Sequence, residues 1–371
     1  MESLNIDQKT LAWLNSANGM TNDKIDKLLE YFNFSTTDLW DNFEAEKYNL
    51  TVLKPETISI LSKARTNFEE RFLKKINDEK AFLVTTYDED YPKKLKQIEG
   101  APNILYYKGS LKNIDDISIA VVGSRKATAY GKWAAEKLTN ELSQLGVNII
   151  SGLAAGIDAV AHKTAIKSKA KTVGVIGCGI DFIYPKSNES IYRDIEKNGG
   201  AVITEYTFGL RPLPYHFHDR NRIISGLSDG VLIIEAQEKS GTLITAGHAA
   251  NQGREIFAVP GNIDSLYSKG TNALIKDGAK ITTSINDIVE EILELQEVLK
   301  LKQNLIDYST LSDDEMKIIN CLNTGSKTIY EINELTKIDT GTILSMLTFL
   351  EMKGAVLQIQ SNKFKSIIKT P

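Results

Sequence analysis

Residues 117–125 read Ile-Ser-Ile-Ala-Val-Val-Gly-Ser-Arg, an apolar run that ends in a glycine, a serine and an arginine. Similar apolar runs follow at 147–150 and 171–176, and each is separated from the next by a stretch with helical periodicity. Further short apolar runs begin at Ala201, Val231, Glu255 and Ala279. Nearly continuous apolar strands that alternate with helices indicate a parallel sheet covered on both faces. The sequence therefore predicts an α/β fold with an extended Rossmann-like, doubly wound, mostly parallel sheet.

The regions on either side of this pattern divide the chain into further segments. Residues 1–75 carry apolar residues at helical spacing and predict a small helical domain, and 76–110 predict a turn-rich linking segment packed on the core. Residues 111–297 form the predicted Rossmann-like domain. After a linker at 298–308, residues 309–371 predict three helices and two strands, which is typical of a winged-helix domain.

Composition and charge limit the classes of protein to consider. The 371 residues are 42% hydrophobic and 25% charged, which is typical of folded globular proteins. Two cysteines are too few for a disulfide framework, and neither a signal peptide nor a membrane span is evident, so we expect a cytoplasmic protein without a membrane partner. The 44 basic and 48 acidic residues give a net charge of −4. Any binding of nucleic acid must therefore depend on a local patch and on backbone amides.

Glycine turns follow the first three predicted strands, at the edge where open α/β sheets bind ligands. The turns contain Gly123, Ser124 and Arg125, then Ser151, Gly152 and Gly156, and then Gly177 and Gly179. Dinucleotide and Walker-type fingerprints are both absent, because Phe182 and Lys126 stand where each would need a further glycine. We therefore expect no cofactor and interpret these turns as a candidate binding edge. A tight strand–helix connection is the alternative for any one of them.

The segment 206–225 concentrates arginine, asparagine and aromatic residues in one loop and the start of a helix. Its candidate binding residues are Arg211, Phe217, Arg220, Asn221 and Arg222. Guanidinium groups bind phosphates, aromatic rings stack on bases and asparagine amides bind base edges, so this composition favours single-stranded nucleic acid. In the alternative interpretation, Arg220 or Arg222 pairs with Asp219 or Asp229 in a structural network.

Two further candidate sites have competing interpretations. Ser240, Gly241 and Thr242 follow a predicted strand and begin a helix, so they form either a phosphate-sized anion site or a simple N-cap at Ser240. His216 and His218, next to Asp219, resemble a set of metal ligands. Because no fourth ligand is evident, we expect no metal there.

Taken in order, these motifs closely resemble those of the DprA/Smf family of DNA-processing proteins. The matching segments are 123–125, 151–158, Tyr184-Pro185 with Asn188, 220–226, 240–245 and 259–261. The resemblance implies a non-catalytic cytosolic homodimer, joined through the Rossmann domain, which protects single-stranded DNA entering in natural transformation and loads the RecA recombinase onto it. It also implies that Arg125, Arg211 and the segment 220–222 hold the DNA backbone. Phe217 would stack on a base, and residues 240–242 would add polar contacts. For residues 1–75 the resemblance implies a helical domain of the SAM-like or helix-hairpin-helix-like type.

Two other functions are compatible with the same residues. The first is a Rossmann-fold nucleotide or nucleoside-monophosphate hydrolase, in which Glu235 is the catalytic carboxylate and the glycine turns hold phosphate. The second is a winged-helix transcription regulator with a ligand-sensing Rossmann domain. The third predicted helix of the terminal domain, 340–353, carries a single cation, Lys353, so a contact with protein is at least as compatible with it as reading of duplex DNA.

Overall fold

The computed structural model describes residues 3–304, 311–360 and 362–367. The chain divides into two compact units, with the boundary between Ile292 and Leu293. No helix in the described ranges combines the length and the apolar character needed to cross a membrane.

A nine-stranded sheet forms the centre of the first unit. Its strands are β1 (Phe82–Thr85), β2 (Ile104–Gly109), β3 (Ser118–Val122), β4 (Asn148–Ser151), β5 (Thr172–Val175), β6 (Ala201–Thr204), β7 (Gly230–Ile233), β8 (Glu255–Ala258) and β9 (Lys280–Ile281). Their spatial order is β1-β2-β6-β5-β4-β3-β7-β8-β9. Strands β3 to β9 are parallel, whereas β2 pairs antiparallel with both β6 and β1. The predicted large, mostly parallel sheet of a mixed α/β fold is confirmed.

Burial on both faces explains the apolar runs in the sequence. Every residue of the five strands from β3 to β7 is buried, so these strands show no alternation of polar and apolar residues. The segment 76–110, predicted as a linking segment, does more than connect two regions. It contributes β1 and β2, which extend the sheet beyond β6.

Helices cover both faces of the sheet and form the N-terminal region. They are α1 (Ile6–Ser16), α2 (Asn22–Tyr31), α3 (Thr36–Glu46), α4 (Pro55–Arg65), α5 (Phe68–Glu79), α6 (Lys93–Lys96), α7 (Ala129–Gln144), α8 (Ile157–Lys167), α9 (Glu189–Lys197), α10 (Pro214–Gly226), α11 (Gly241–Asn251), α12 (Lys269–Lys276) and α13 (Ile285–Val289). The N-terminal helices share a core with the sheet. The ring of Phe72 on α5 lies 6.2 Å from that of Tyr106 on β2 and 5.7 Å from that of Phe208.

The order of the strands creates a switch point between β3 and β7. From β3 the chain builds β4, β5 and β6 on one side, and then crosses back to build β7, β8 and β9 on the other side. The loops that leave the carboxyl ends of β3 and β7 therefore diverge, which is where open α/β sheets form a ligand crevice.

The second unit contains four helices and a small sheet within its described residues. The elements are α14 (Leu293–Asn304), α15 (Asp313–Asn323), β10 (Lys327–Thr328), α16 (Ile329–Thr336), α17 (Thr340–Met352), β11 (Val356–Gln360) and β12 (Lys363–Ser366), with the sheet in the order β10-β12-β11. The predicted linker 298–308 lies partly in α14, and its residues from 305 onward lie outside the described residues. The winged-helix assignment stays a prediction.

Candidate functional site

The glycine turns meet helix α10 at the carboxyl edge of the sheet. A Cβ atom on Gly152, after β4, would lie 2.7 Å from the guanidinium nitrogens of Arg220. A Cβ atom on Gly177, after β5, would lie 3.1 Å from the ring of Phe217. The absence of side chains at these turns therefore lets the loops pack directly against the side chains of α10. The glycine turns and the residues of α10, which were predicted as separate sites, therefore adjoin each other at this edge.

Gly156 packs directly against the backbone of the loop after β3. Its φ of +84° is a conformation that favours glycine, and an added Cβ would lie 2.2 Å from the carbonyl oxygen of Ser124. The amide of Ile157 donates to that same carbonyl at 3.2 Å. A Cβ atom on Gly123 would in turn lie 2.7 Å from the side chain of Ile157. These contacts fix the backbone that presents the next residue, Arg125.

Arg125 and the half-buried Phe217 lie next to each other on this surface. The side chain of Arg125 is exposed, and its guanidinium carbon lies 5.4 Å from the centroid of the Phe217 ring. This is within the range of a cation–π contact. Among the described residues, no ion pair within 4 Å neutralises Arg125. A ligand can therefore reach a positive charge and an aromatic ring at the same point.

Arg220 has the opposite environment, because it is only 4% exposed. Its Nη1 donates to the carbonyl oxygen of Gly152 at 2.6 Å and also to that of Val175, which ties α10 to the ends of β4 and β5. The nearby carboxylate of Asp158 is buried and accepts from the amide of Gly152 at 3.1 Å. Burial raises the pKa of Asp158, and the positive charge of Arg220 opposes that rise. The structure thus places Arg220 as an internal brace.

Arg222 belongs to a second internal network. Its Nη2 donates to Oε2 of Glu205 at 2.6 Å, and Nδ2 of Asn22 on α2 donates to the same oxygen at 2.9 Å. A structural ion pair was one interpretation of this arginine, but the partner is Glu205 instead of Asp219 or Asp229. The carboxylate of Asp229 pairs with Lys94 at 2.6 Å. The network connects the N-terminal helices to α10.

The remaining predicted residues are divided between structural and accessible positions. Ser151 is fully buried, and its hydroxyl donates to the carbonyl oxygen of Val121 at 2.7 Å. Asn221 is buried and donates to the carbonyl oxygen of Gly241 at 3.2 Å, which connects α10 to the start of α11. Arg211 is exposed on the loop before α10. Ser151 and Asn221 therefore have structural roles, whereas a ligand can reach the charge of Arg211.

Ser240 caps helix α11. Its Oγ accepts from the amide of Thr242 at 3.2 Å and lies 3.0 Å from that residue's hydroxyl oxygen, so the N-cap interpretation is confirmed. Gly241 has open space at its Cβ position and is exposed. The cap accounts for Ser240, and the exposed Gly241 leaves this helix start accessible, so binding of an anion there stays a prediction.

Several accessible residues at this edge were not predicted. Lys126 follows Arg125, Lys186 lies in the loop after β5 and Lys239 lies in the loop after β7, and all three side chains are exposed. The ring of Tyr184, 44% exposed, lies 5.5 Å from that of Phe217. The loops that carry these residues were visible in the sequence, but which of their side chains face solvent depends on the packing. Together with Arg125 and Arg211, the lysines are exposed cations of the loops at this edge, where Asp219 and Glu238 are exposed as well.

The carboxylate of Glu235 lies at the N-terminus of helix α7, at the switch point. Its carboxylate accepts from the amide of Thr128 at 3.0 Å and from the hydroxyl of the same residue, at the start of α7. A Cβ atom on Gly131 would lie 2.3 Å from this carboxylate. Dinucleotide-binding folds place a phosphate at such a helix start. Here a carboxylate fills that position, and it also lines a cavity of about 480 Å³.

The two histidines at this edge differ, because His216 is packed inside the protein and His218 is exposed. His216 is buried, with its ring 4.1 Å from that of Tyr206 and 4.5 Å from that of Tyr215. Burial lowers the pKa of His216. In the part of the chain that the structure describes, no three His, Cys, Asp or Glu residues are grouped so as to hold a metal ion.

The sequence of this chain is similar to those of a known protein family and of several of its members. Residues 82–293, which contain the whole nine-stranded sheet, match the family model described as DNA recombination-mediator protein A. The DNA processing protein DprA of Bacillus subtilis (strain 168) is 44% identical over 205 residues, which cover 55% of this chain and 69% of that protein. Protein Smf of Escherichia coli (strain K12) is 40% identical over 210 residues, 57% of this chain and 56% of that protein.

Solved structures give the same picture. The X-ray structure of DNA processing protein A from Streptococcus pneumoniae has a TM-score of 0.66 at 35% identity and covers 78% of this chain and 99% of that one. A structure of DNA processing protein A from Helicobacter pylori, determined for its single-stranded DNA binding mode, has a TM-score of 0.52 at 31% identity and covers 57% and 96%. The chain is therefore similar to these proteins in both sequence and fold.

Proposed function

Since this chain belongs to the DprA/Smf family of DNA recombination-mediator proteins, we propose that it binds single-stranded DNA at the carboxyl edge of its sheet. In this proposal it is a cytoplasmic, non-enzymatic mediator that protects DNA entering during natural transformation and loads RecA onto it. The family match, the curated relatives and the single-stranded DNA bound by the Helicobacter pylori protein support this choice of ligand.

The observation that carries the proposal is the exposed guanidinium of Arg125 beside the ring of Phe217. A single strand offers phosphates and unstacked bases close together, whereas a duplex hides the faces of its bases. A cation 5.4 Å from an aromatic ring can bind a phosphate while the ring stacks on the adjoining base. Tyr184, whose ring lies 5.5 Å from that of Phe217, would extend the aromatic surface. The pair therefore favours single strands over duplexes.

The contacts that we propose differ among the arginines. Arg125 and Arg211 are exposed and would bind phosphates directly, and the exposed Gly241 would allow close approach of the strand. Arg220 and Arg222 would act as positioning residues, because the first donates to loop carbonyls and the second pairs with Glu205. Mutation of either should disturb the site through the loops and not through a lost phosphate contact.

The environment of Glu235 supports the non-enzymatic proposal over nucleotide hydrolysis. Both of its carboxylate oxygens accept from Thr128, so the group is engaged in capping α7. A general base needs a position from which it can take a proton from water or substrate. Incubation with nucleotides should therefore release no ribose phosphate, and release that depends on Glu235 would contradict the proposal.

Homodimerisation through the Rossmann domain is also part of the proposal. Strand β9 lies at the edge of the large sheet, and its residue Ile281 is 47% exposed. An edge strand with an exposed apolar side chain suits symmetric pairing with a second copy. Two weak sites on one strand would then bind with avidity. RecA loading is tested separately, by the rate at which RecA filaments form on protein-bound single strands.

The first experiment is a fluorescence-anisotropy titration of labelled oligo-dT and of the matching duplex, at several salt concentrations. We expect tight, salt-sensitive binding of the single strand. Arg125→Glu should weaken it and reduce the slope of log K against log salt by about 0.7, the value for one phosphate contact on a single strand. Lys75→Glu reverses the charge of an exposed lysine on α5 and is the matched control. No preference for single strands, or an unchanged slope in Arg125→Glu, would contradict the proposed site.

A further inference from the structure

A stripe of exposed and half-buried side chains runs along helix α7, outside the edge described above. Its residues, Tyr130, Trp133, Lys137, Asn140 and Gln144, are spaced by three and four positions and therefore lie on one face of the helix. The two aromatic residues are unusually accessible, with Trp133 57% and Tyr130 45% exposed. We refer to these five residues as the α7 stripe.

Contacts within the protein hold the aromatic end of the α7 stripe in place. The hydroxyl of Tyr130 donates to the carbonyl oxygen of Pro260 at 3.0 Å. The rings of Tyr130 and Trp133 lie 6.0 Å apart at an angle of 30°. Nζ of Lys137 lies 5.5 Å from the centroid of the Trp133 ring. The stripe thus presents two neighbouring aromatic rings, whose planes are tilted by 30° to each other, and an adjacent cation.

Depressions in the surface adjoin both ends of the α7 stripe. Tyr130 lines the cavity of about 480 Å³ at the switch point, together with Thr128 and Glu235. Lys137, Asn140 and Gln144 line a groove of about 420 Å³ against α8. Helix α7 begins four residues after Arg125. The stripe therefore leads away from the proposed DNA site for about 21 Å, from the helical rise of about 1.5 Å per residue.

The chemistry of the α7 stripe indicates which ligand it suits. After the two rings, the stripe continues with a lysine and two amide side chains, so it lacks the continuous apolar surface of a protein-docking helix. Two further lysines are nearby, since Lys132 is exposed on α7 and Lys167 lines the groove. One acidic residue, Glu136, lines the same groove. Exposed aromatic rings next to cations and amides are the combination that binds single-stranded nucleic acid.

We propose that the α7 stripe is a second contact for the same single strand, beyond the Arg125 and Phe217 site. The inference rests on the proposed function. Bases leaving that site would stack on Tyr130 and Trp133, and the phosphates would lie near Lys132 and Lys137. Short oligonucleotides would fill the first site alone, whereas longer strands would also reach the stripe.

The test compares oligo-dT of about 6 and about 20 nucleotides, since sites of this kind hold about 4 to 16 nucleotides. Trp133→Ala should weaken binding of the long strand by about fivefold or more, the loss of one stacked base, and leave the short strand unchanged. Trp133→Phe should keep most of the affinity. Trp13 is fully buried and Trp40 is half-buried against it in the N-terminal helices, so quenching of tryptophan fluorescence by the long strand should come mainly from the exposed Trp133 and be lost in Trp133→Phe.

Controls separate this inference from the proposed function. Tyr48→Ala removes an aromatic ring that is 88% exposed in the N-terminal region and should leave both affinities unchanged. If Trp133→Ala binds the long strand normally while Arg125→Glu does not, the stripe is not a DNA contact and the proposed function stands. If Arg125→Glu also binds normally, the proposed function fails. A change of self-association in Trp133→Ala, with unchanged DNA affinity, would assign the stripe to a protein partner and overturn the inference.

Discussion

Arg125 and Arg220 show how burial decides the role of a residue type. Both lie within 6 Å of the Phe217 ring, yet one is exposed and the other is 4% exposed. A buried guanidinium must satisfy its donors inside the protein, and Arg220 does so with carbonyl oxygens at the ends of β4 and β5. An exposed one keeps its donors for a ligand. The same residue type therefore supplies a support in one position and a candidate contact in the other.

This difference predicts opposite effects on stability. Arg220→Ala should lower the free energy of unfolding by about 3 kcal/mol, because it removes the buried donor to the Gly152 and Val175 carbonyl oxygens and one of the positive charges near Asp158. Arg125→Ala, an exposed substitution, should change it by no more than about 0.5 kcal/mol. Chemical denaturation of the two variants checks this. Equal stabilities would show that Arg220 does not brace the loops.

His162 provides a prediction about pH. Its Nδ1 donates to Oγ1 of Thr172 at 2.7 Å, since the Thr172 hydroxyl gives its own proton to the carbonyl oxygen of Ile149. Burial, and to a smaller extent the charge of Arg220, lowers the pKa of His162 to about 3 from 6.5. The unfolded chain therefore binds a proton below pH 6.5 that the folded protein does not bind until about pH 3. The stability that this group contributes is present above pH 6.5 and lost as the pH falls.

The free energy of unfolding of the native protein should fall more steeply with decreasing pH than that of His162→Gln. The difference in slope should approach about 1.4 kcal/mol per pH unit between pH 6 and 4. Urea denaturation at several pH values measures it. Parallel curves for the two proteins would mean that His162 takes up its proton in the folded state.

At the scale of elements, the loops at the carboxyl edge hold one another in place. Gly156 fits against the Ser124 carbonyl, Gly152 against Arg220 and Gly177 against Phe217. The glycines thus create space for other parts of the protein. The geometry of Arg125 depends on a turn that lies more than thirty residues away in the chain.

A matched pair of glycine substitutions tests this dependence. Gly146 and Gly156 both have φ of +84°, but a Cβ atom on Gly146 meets no atom within 4 Å, whereas one on Gly156 meets the Ser124 carbonyl at 2.2 Å. Gly146→Ala should cost only the backbone strain, about 1 kcal/mol, and keep DNA affinity. Gly156→Ala should cost clearly more and weaken binding of oligo-dT. The same loss of affinity in both variants would rule out the loop contact as its cause.

Helix α17 illustrates an element whose surface differs from that of a DNA-reading helix. Its exposed large side chains are Leu344, Phe349 and Met352, at 53%, 59% and 80%. The cation near its end, Lys353, lies 3.5 Å from Glu315. Major-groove recognition relies on donors and acceptors that match base edges. The exposed face of α17 also carries the hydroxyls of Thr342, Ser345 and Thr348, so an apolar partner is at least as compatible with it as a duplex.

At the scale of the whole molecule, the N-terminal helices and the sheet act as one compact unit. Phe72 packs against Tyr106 and Phe208, and Asn22 shares the Glu205 carboxylate with Arg222. The N-terminal helices therefore contact residues that support the candidate site, although none of their own residues was predicted to belong to it. Changes in α2 can reach α10 through this carboxylate.

The proposed homodimer leads to a prediction at the same scale. Ile281→Asp places a charge on the edge strand β9 and should shift the protein from dimer to monomer in sedimentation equilibrium. Binding of long oligo-dT should weaken, since avidity is lost, while binding of short oligo-dT is kept. Lys276→Glu, on the neighbouring α12, is an exposed charge change for comparison. A variant that remains dimeric would place the interface elsewhere.

The sequence by itself determined the sheet, its covering helices and the edge that carries the candidate site. Continuous apolar runs such as 117–122 and the glycines after them are local signals, so they could be interpreted without knowledge of the fold. The family resemblance, confirmed by the match over residues 82–293, came from the same segments. Local patterns also gave an N-cap at Ser240 as one of two interpretations, the other being an anion site.

The tertiary structure alone decided which of these side chains a ligand can reach. Arg125 and Arg220 are both arginines in glycine- or asparagine-containing motifs, and nothing in their neighbours shows that one is exposed and the other buried. The partners of Arg220 and Arg222 come from loops 17 to 68 residues away. Burial and ion pairing arise where distant segments meet, and only the folded chain brings those segments together.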